Sequence, residues 1–98
     1  MGTSVASTLG SFSSQKALRL ANVYLEKAYG ESDPEIAQEL CRETELSLTQ
    51  AKRVAKCDND QVMMDEIGAT FIKLGQLLRE QGCVPEADAI RTKGEKLV

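Results

Sequence analysis

Three glutamates in one segment offer the first chemistry to consider. Glu35, Glu39 and Glu43 recur at every fourth residue, so in a helix they form one acidic ridge. Carboxylates in helical bundles can hold a di-iron centre, but such sites also use Glu-x-x-His pairs, and the chain contains no histidine. We therefore expect neither a metal ion nor a cofactor. The ridge is either a solvated face or a docking surface for a basic peptide.

The cysteines lack the partners that nucleophilic catalysis requires. Cys41, Cys57 and Cys83 have no histidine to activate them, and no Gly-rich loop is present to hold a nucleotide. We expect a non-enzymatic chain without catalytic residues. Cys41 falls on an apolar stripe and is typical of a small buried hydrophobe. The odd number of cysteines favours free thiols in a reducing compartment. The spacing leaves open whether Cys57 and Cys83 lie close together.

Charge and length narrow the class of protein further. Lys and Arg number 12 against 15 Asp and Glu, and the formal charge of −3 argues against a nucleic-acid module. No apolar run approaches the roughly 20 residues that span a bilayer, so we expect no membrane partner and a cytoplasmic location. The 98 residues suit one small domain. Residues 1–14 contain no charge and many serines, which predicts a disordered leader before a single domain over residues 15–98.

Caps and breakers divide this domain into four helices. The first is expected from about Ser14, the second from Pro34, the third after a capping box formed by Asp58 and Gln61, and the fourth from near Pro85. Ser14 is the expected cap of the first helix and Asp33 that of the second, and Gly82 ends the third. Short connections place successive helices antiparallel. The fold class predicted is all-α, an up-down four-helix array or bundle.

Apolar stripes at helical spacing predict which side chains form the core. On the first helix the predicted stripe is Ala17, Leu20, Ala21, Tyr24 and Ala28, and on the third it is Met64, Ile67, Phe71, Leu74, Gly75 and Leu78. Gly75 and Ala87 lack bulk, so the last two helices are expected to cross closely there.

The last third of the chain carries a resemblance to a known repeat. Residues 71–97 have the sequence FIKLGQLLREQGCVPEADAIRTKGEKL. The order of an aromatic residue, Leu-Gly, a turn glycine and a small crossing residue is that of a tetratricopeptide repeat. This stretch resembles one such repeat. Arg91 stands where the family usually has an aromatic residue and Gly94 where it usually has Ala, which is typical of a terminal or degenerate repeat. An unrelated four-helix bundle with small residues at its crossings is the alternative.

A longer stretch carries a second resemblance. Residues 17–53, ALRLANVYLEKAYGESDPEIAQELCRETELSLTQAKR, together with GATFIKLGQLLREQG at residues 68–82, are similar to an N-terminal helical module of large fungal multidomain proteins that carry repeat arrays. Both resemblances imply a helical interaction module within a scaffold or adaptor protein.

The function expected is therefore binding of a protein or peptide, one with a basic flank where the acidic ridge is a docking surface. Helix-pair repeats offer a groove to a peptide or a neighbouring helix, and apolar residues beside the core stripes supply the contacts. The partner-binding candidates are Glu35, Glu39, Glu43, Leu46, Ile72 and Leu77, with Val23 and Val62 as further apolar positions. The alternative function is self-association, in which the same apolar surface forms a homodimer.

Overall fold

The computed structural model describes residues 14–97, which form four α-helices and no strand. The helices are α1 (Ser14–Gly30), α2 (Pro34–Cys57), α3 (Gln61–Glu80) and α4 (Val84–Leu97). The predicted all-α, four-helix fold is confirmed. Residues 1–13 of the predicted leader lie outside the described residues, and Ser14, expected to cap α1, already lies within the helix. None of the four described helices is long and apolar enough to cross a bilayer.

Side-chain caps fix the two helix starts that the sequence predicted from acidic residues. Asp33 caps α2 as expected, because its Oδ1 accepts the backbone N–H of Glu35 at 3.0 Å. The predicted capping box at Asp58 is wrong. Asp60 caps α3 instead, accepting the N–H of Met63 at 3.1 Å, while Asp58 ends α2. The chain turns at Asn59, whose φ of 53° is tolerated by Asn, so α3 starts later than the box implied.

The helices form two antiparallel hairpins, α1–α2 and α3–α4, stacked side by side. α3 is the central element, since it packs against all three other helices. Within residues 14–97 the backbone of α4 approaches only that of α3 to within 8 Å. The chain therefore forms an open array rather than a closed bundle. Its dimensions of 49 × 26 × 15 Å are those of an elongated, flat molecule.

The core follows from the central place of α3. Phe71, Ile67 and Leu74 are among the largest fully buried side chains. Leu77, predicted to contact a partner, is only 5% exposed, and this prediction is wrong. A helix that packs against three others buries a wider arc than one stripe. Leu77, which precedes Leu78, is therefore buried as well.

The inward face of α1 also differs from the prediction. Leu18 and Leu25 are buried with Ala21 and Ala28, whereas Leu20, predicted in the core, is 47% exposed. Both stripes have helical spacing, and the buried one places two leucines against α2. Leu20 therefore lies on the surface, and Tyr24 is only half-buried.

Small residues set how closely α3 and α4 approach. The predicted crossing is present, because a Cβ on Gly75 would lie 3.1 Å from the carbonyl oxygen of Ala87. A second and tighter crossing joins Gly94 to Gly68, where a Cβ on Gly94 would lie 2.6 Å from the Gly68 carbonyl oxygen. These two contacts bring the backbones of α3 and α4 into direct contact.

Candidate docking surfaces

The acidic ridge lies on the exposed side of α2. Glu35, Glu39 and Glu43 are all exposed, and among the described residues none of them forms an ion pair. Leu46 continues the same strip three residues after Glu43, and its side chain is 60% exposed. The predicted ridge and one predicted apolar contact are therefore brought together on one helix face.

A shallow groove adjoins this strip on the side of α1. It has a volume of about 310 Å³ and is lined by Lys16, Ala17, Arg19, Leu20, Val23 and Gln50. Gln50 follows Leu46 by one helical turn, so the groove and the acidic strip meet at this residue. We call the combined surface the outer face of the first hairpin: Glu39, Glu43, Leu46 and Gln50 of α2 with Leu20 and Val23 of α1.

Large apolar side chains are concentrated on the first hairpin. Over the described part of the chain, seven are exposed, and the five on this hairpin are Leu20, Val23, Tyr29, Ile36 and Leu46. The other two, Val62 and Val84, lie at the starts of α3 and α4. The first hairpin therefore carries most of the exposed apolar side chains of the described residues.

A second groove runs between the two hairpins, and we call it the inter-hairpin groove. Its volume is about 310 Å³, and its lining comes from α2, α3, α4 and the α3–α4 connection: Gln38, Cys41, Arg42, Glu45, Leu78, Cys83, Glu86, Ala89, Ile90 and Lys93. A salt bridge of 3.0 Å between Glu45 and Lys93 joins its α2 and α4 walls. The lining alternates acidic and basic groups, so this groove presents no single sign of charge.

The remaining predicted contacts lie elsewhere. Ile72 is half-buried and lines a smaller hollow of about 170 Å³ between α3 and α4, beside Gln76 and Arg91. Val62 is 72% exposed at the start of α3. Of the apolar candidates, Leu46 and Val23 belong to the outer face of the first hairpin, and Leu77 belongs to the core.

Sequence reasoning missed Leu20 and Gln50 as surface contacts. Leu20 was assigned to the core because its spacing to Ala17, Ala21 and Tyr24 is helical. The signal that could have corrected this is the competing stripe with two leucines, Leu18 and Leu25, which buries more apolar area. The inter-hairpin groove left no signal in the sequence, because it arises from the way the two hairpins stack.

The cysteine positions resolve a question that spacing left open. Cys83 contacts Gln38 near the start of α2, through a Gln38 Nε2 to Cys83 Sγ distance of 3.9 Å. Cys57 is the last residue of α2, roughly 28 Å further along the helix at 1.5 Å per residue. Cys57 and Cys83 therefore lie at opposite ends of the array. Cys41 is 4% exposed, as its place on the core stripe predicted.

Metal-ligating groups are not gathered in the described residues. No cluster of three or more cysteine or carboxylate side chains within residues 14–97 could hold a metal ion. Comparison with known protein families, with curated proteins and with solved structures gave no match to this chain.

Proposed function

We propose that this chain is a non-enzymatic helical interaction module that binds a partner helix or peptide with a basic flank. The outer face of the first hairpin is the proposed docking surface. The observation that carries the proposal is the meeting there of exposed apolar side chains, a groove and an acidic ridge without ion pairs to other described residues. The resemblance of residues 71–97 to a tetratricopeptide repeat remains a prediction that agrees with this role.

Apolar contacts would supply most of the affinity. Leu20, Val23 and Leu46 are each more than two-fifths exposed, so covering them removes apolar surface from water. Burial contributes roughly 25 cal/mol per Å² of apolar surface. A partner helix with apolar residues at i, i+3, i+4 and i+7 has the shape to lie in such a groove.

The acidic ridge would set the orientation and the association rate. Glu35, Glu39 and Glu43 are exposed and form no ion pair with another described residue. Charges at the rim of an interface attract a complementary partner and raise the on-rate more than they raise affinity. A basic flank on the partner therefore faces α2. Salt should slow association, because at 0.1 M ionic strength exposed charges more than about 10 Å apart are largely screened from each other.

Selection from a displayed library of helical peptides tests the proposal directly. Peptides are selected on the wild-type chain, and those that also bind a Leu20→Asp, Leu46→Asp double variant are removed. We expect the survivors to share one apolar stripe and Lys or Arg along one edge. Survivors without basic residues, or a library from which none survives, would contradict the proposal.

Association kinetics of one selected peptide test the ridge. Reversal of Glu35, Glu39 and Glu43 to Lys should slow association and remove most of its salt dependence, with little loss of stability because each exposed charge contributes only tenths of a kcal/mol. The matched control reverses Asp65, Glu66 and Glu80, which are exposed carboxylates of α3, and produces the same net charge. Equal slowing in both variants would assign the effect to net charge rather than to the ridge.

Self-association is the alternative use of the same surface. In a two-fold dimer that pairs α2 with α2, each acidic ridge would face a copy of itself, whereas a basic partner meets no such repulsion. We therefore expect a monomer by light scattering at high micromolar concentration. A dimer that the Leu46→Asp change dissociates would favour homodimerisation over partner binding.

A further inference from the structure

Two cysteines from different elements meet at the junction of the hairpins. Cys41 lies in the first half of α2, and Cys83 lies in the connection between α3 and α4. Both line the inter-hairpin groove. Cys41 is buried, whereas Cys83 is half-buried and open to the groove. The proposed docking surface on the first hairpin uses neither residue.

Hydrogen bonds cross between the two elements at this point. The Cys41 thiol donates to Gln81 Oε1 at 3.9 Å, and Gln38 Nε2 donates to Cys83 Sγ at 3.9 Å. Gln38 lies one turn before Cys41 on α2, and Gln81 lies two residues before Cys83. Each thiol is therefore bonded to a glutamine that neighbours the other thiol. Gly82 makes this arrangement possible, since its φ of 84° turns the chain between Gln81 and Cys83.

The two sulfur atoms differ in chemical character. Burial, and after it the charge of Cys83, raise the pKa of Cys41 to about 11, so Cys41 is a protonated thiol at neutral pH. Cys83 is the more accessible thiol, and its sulfur accepts an N–H from Gln38. The accessible sulfur is the natural site of first attack.

We propose that Cys83 and Cys41 form a hydroperoxide-reactive pair that closes into an intramolecular disulfide. The Cys83 thiol loses its proton, and its sulfur attacks one oxygen of a hydroperoxide. The O–O bond breaks, the sulfur becomes a sulfenic acid, and the departing oxygen takes up the proton that Cys83 lost and leaves as an alcohol or, from hydrogen peroxide, as water. The Cys41 sulfur then attacks the Cys83 sulfur, and the hydroxyl group leaves as water with the Cys41 proton. The two thiols lose two electrons and two protons, and the peroxide is reduced.

The disulfide would hold the two hairpins in their stacked arrangement. It joins α2 to the α3–α4 connection, across the groove that separates the α2 and α4 walls. The bond closes a long loop of chain that contains all of α3, and such cross-links stabilise the folded state by restricting the unfolded one. For a domain of this size we expect the Tm to rise by about 10 °C on oxidation.

The experiment uses the full chain with Cys57→Ser, which removes the exposed thiol at the far end of the array. A stoichiometric amount of hydrogen peroxide is added, and the intact mass, the free-thiol count and the Tm are measured. We expect loss of two hydrogens, loss of both free thiols, a non-reduced peptide that joins Cys41 to Cys83, and a higher Tm that dithiothreitol reverses.

The matched control is the Cys83→Ser chain, which keeps Cys41 and Cys57. These thiols lie on one helix about 24 Å apart at 1.5 Å per residue, so no intramolecular disulfide is expected there. Three results would overturn the proposal: both thiols remaining free in the Cys57→Ser chain, oxidation of Cys83 to the sulfinic acid without a link to Cys41, or a disulfide that joins two chains.

Discussion

Replacing Gly94 with Ala tests the packing of the second hairpin most sharply. A Cβ at this position would lie 2.6 Å from the Gly68 carbonyl oxygen, 2.9 Å from Ile72 Cγ1 and 3.0 Å from Phe71 Cβ. Ordinary contact begins at 3.4 Å, so the overlap with the backbone of α3 is about 0.8 Å. A backbone carbonyl cannot rotate away as a side chain can. Relief requires the last turn of α4 to move off α3, which also loosens Leu97 from the core.

The expected magnitude follows from two opposing effects. Ala in a helix interior is favoured over Gly by about 1 kcal/mol. Overpacking costs about 1–3 kcal/mol, and a clash with backbone belongs at the upper end of that range. The net destabilisation of the Gly94→Ala chain is about 2 kcal/mol, which lowers the Tm by about 10 °C.

Two matched glycines make the result interpretable. At Gly75 the nearest atom to a new Cβ is 3.1 Å away, so Gly75→Ala should change stability little, because packing cost and helix propensity offset each other. At Gly30 no atom lies within 4 Å, and Ala there should leave stability unchanged or slightly higher. Urea unfolding followed by far-UV circular dichroism measures all three. A Gly94→Ala chain as stable as the Gly30→Ala chain would refute the close crossing at Gly68.

Two further changes test burial at single residues. Leu77→Asp should unfold the domain or cost more than about 3 kcal/mol, because it places an unpaired charge in the core, whereas Leu46→Asp should leave the Tm nearly unchanged; equal Tm values by thermal melting would place both side chains on the surface. Because the folded state raises the pKa of Cys41 from 9.0 to about 11, its contribution to stability is full below pH 9 and declines as the pH rises toward 11. Urea unfolding across this range should show a smaller decline in Cys41→Ala, and identical pH profiles would contradict the burial of this thiol.

Much of the fold could be predicted because caps and breakers act locally. Asp33 with Pro34 marks the start of α2, and Gly82 marks the turn after α3, through backbone preferences that need no tertiary contact. The Asp58 prediction failed for an equally local reason. Asp58 and Asp60 lie two residues apart, so both were candidate caps. The chain turns between them at Asn59, whose φ is positive, and Asp60 is the cap of α3.

The orientation of side chains was less predictable. α1 carries two stripes of helical spacing, and only the packing against α2 selects Leu18 and Leu25 over Leu20. Leu77 is buried because α3 is central, which depends on how the hairpins stack. The acidic ridge was predictable because Glu35, Glu39 and Glu43 lie on one helix. The placement of Cys41 and Cys83 along one groove was not predictable, because it brings together elements far apart in sequence.

Chemical-shift mapping tests whether a basic helical peptide binds to the outer face of the first hairpin. The ¹⁵N- and methyl-labelled chain is titrated with a selected basic helical peptide, in the wild type and in the Leu46→Asp variant. We expect saturable shifts at Leu20, Val23, Leu46 and Gln50, with little change around the inter-hairpin groove and weaker binding by the variant. Shifts centred on Ile90 and Lys93, or equal binding by the two chains, would contradict it.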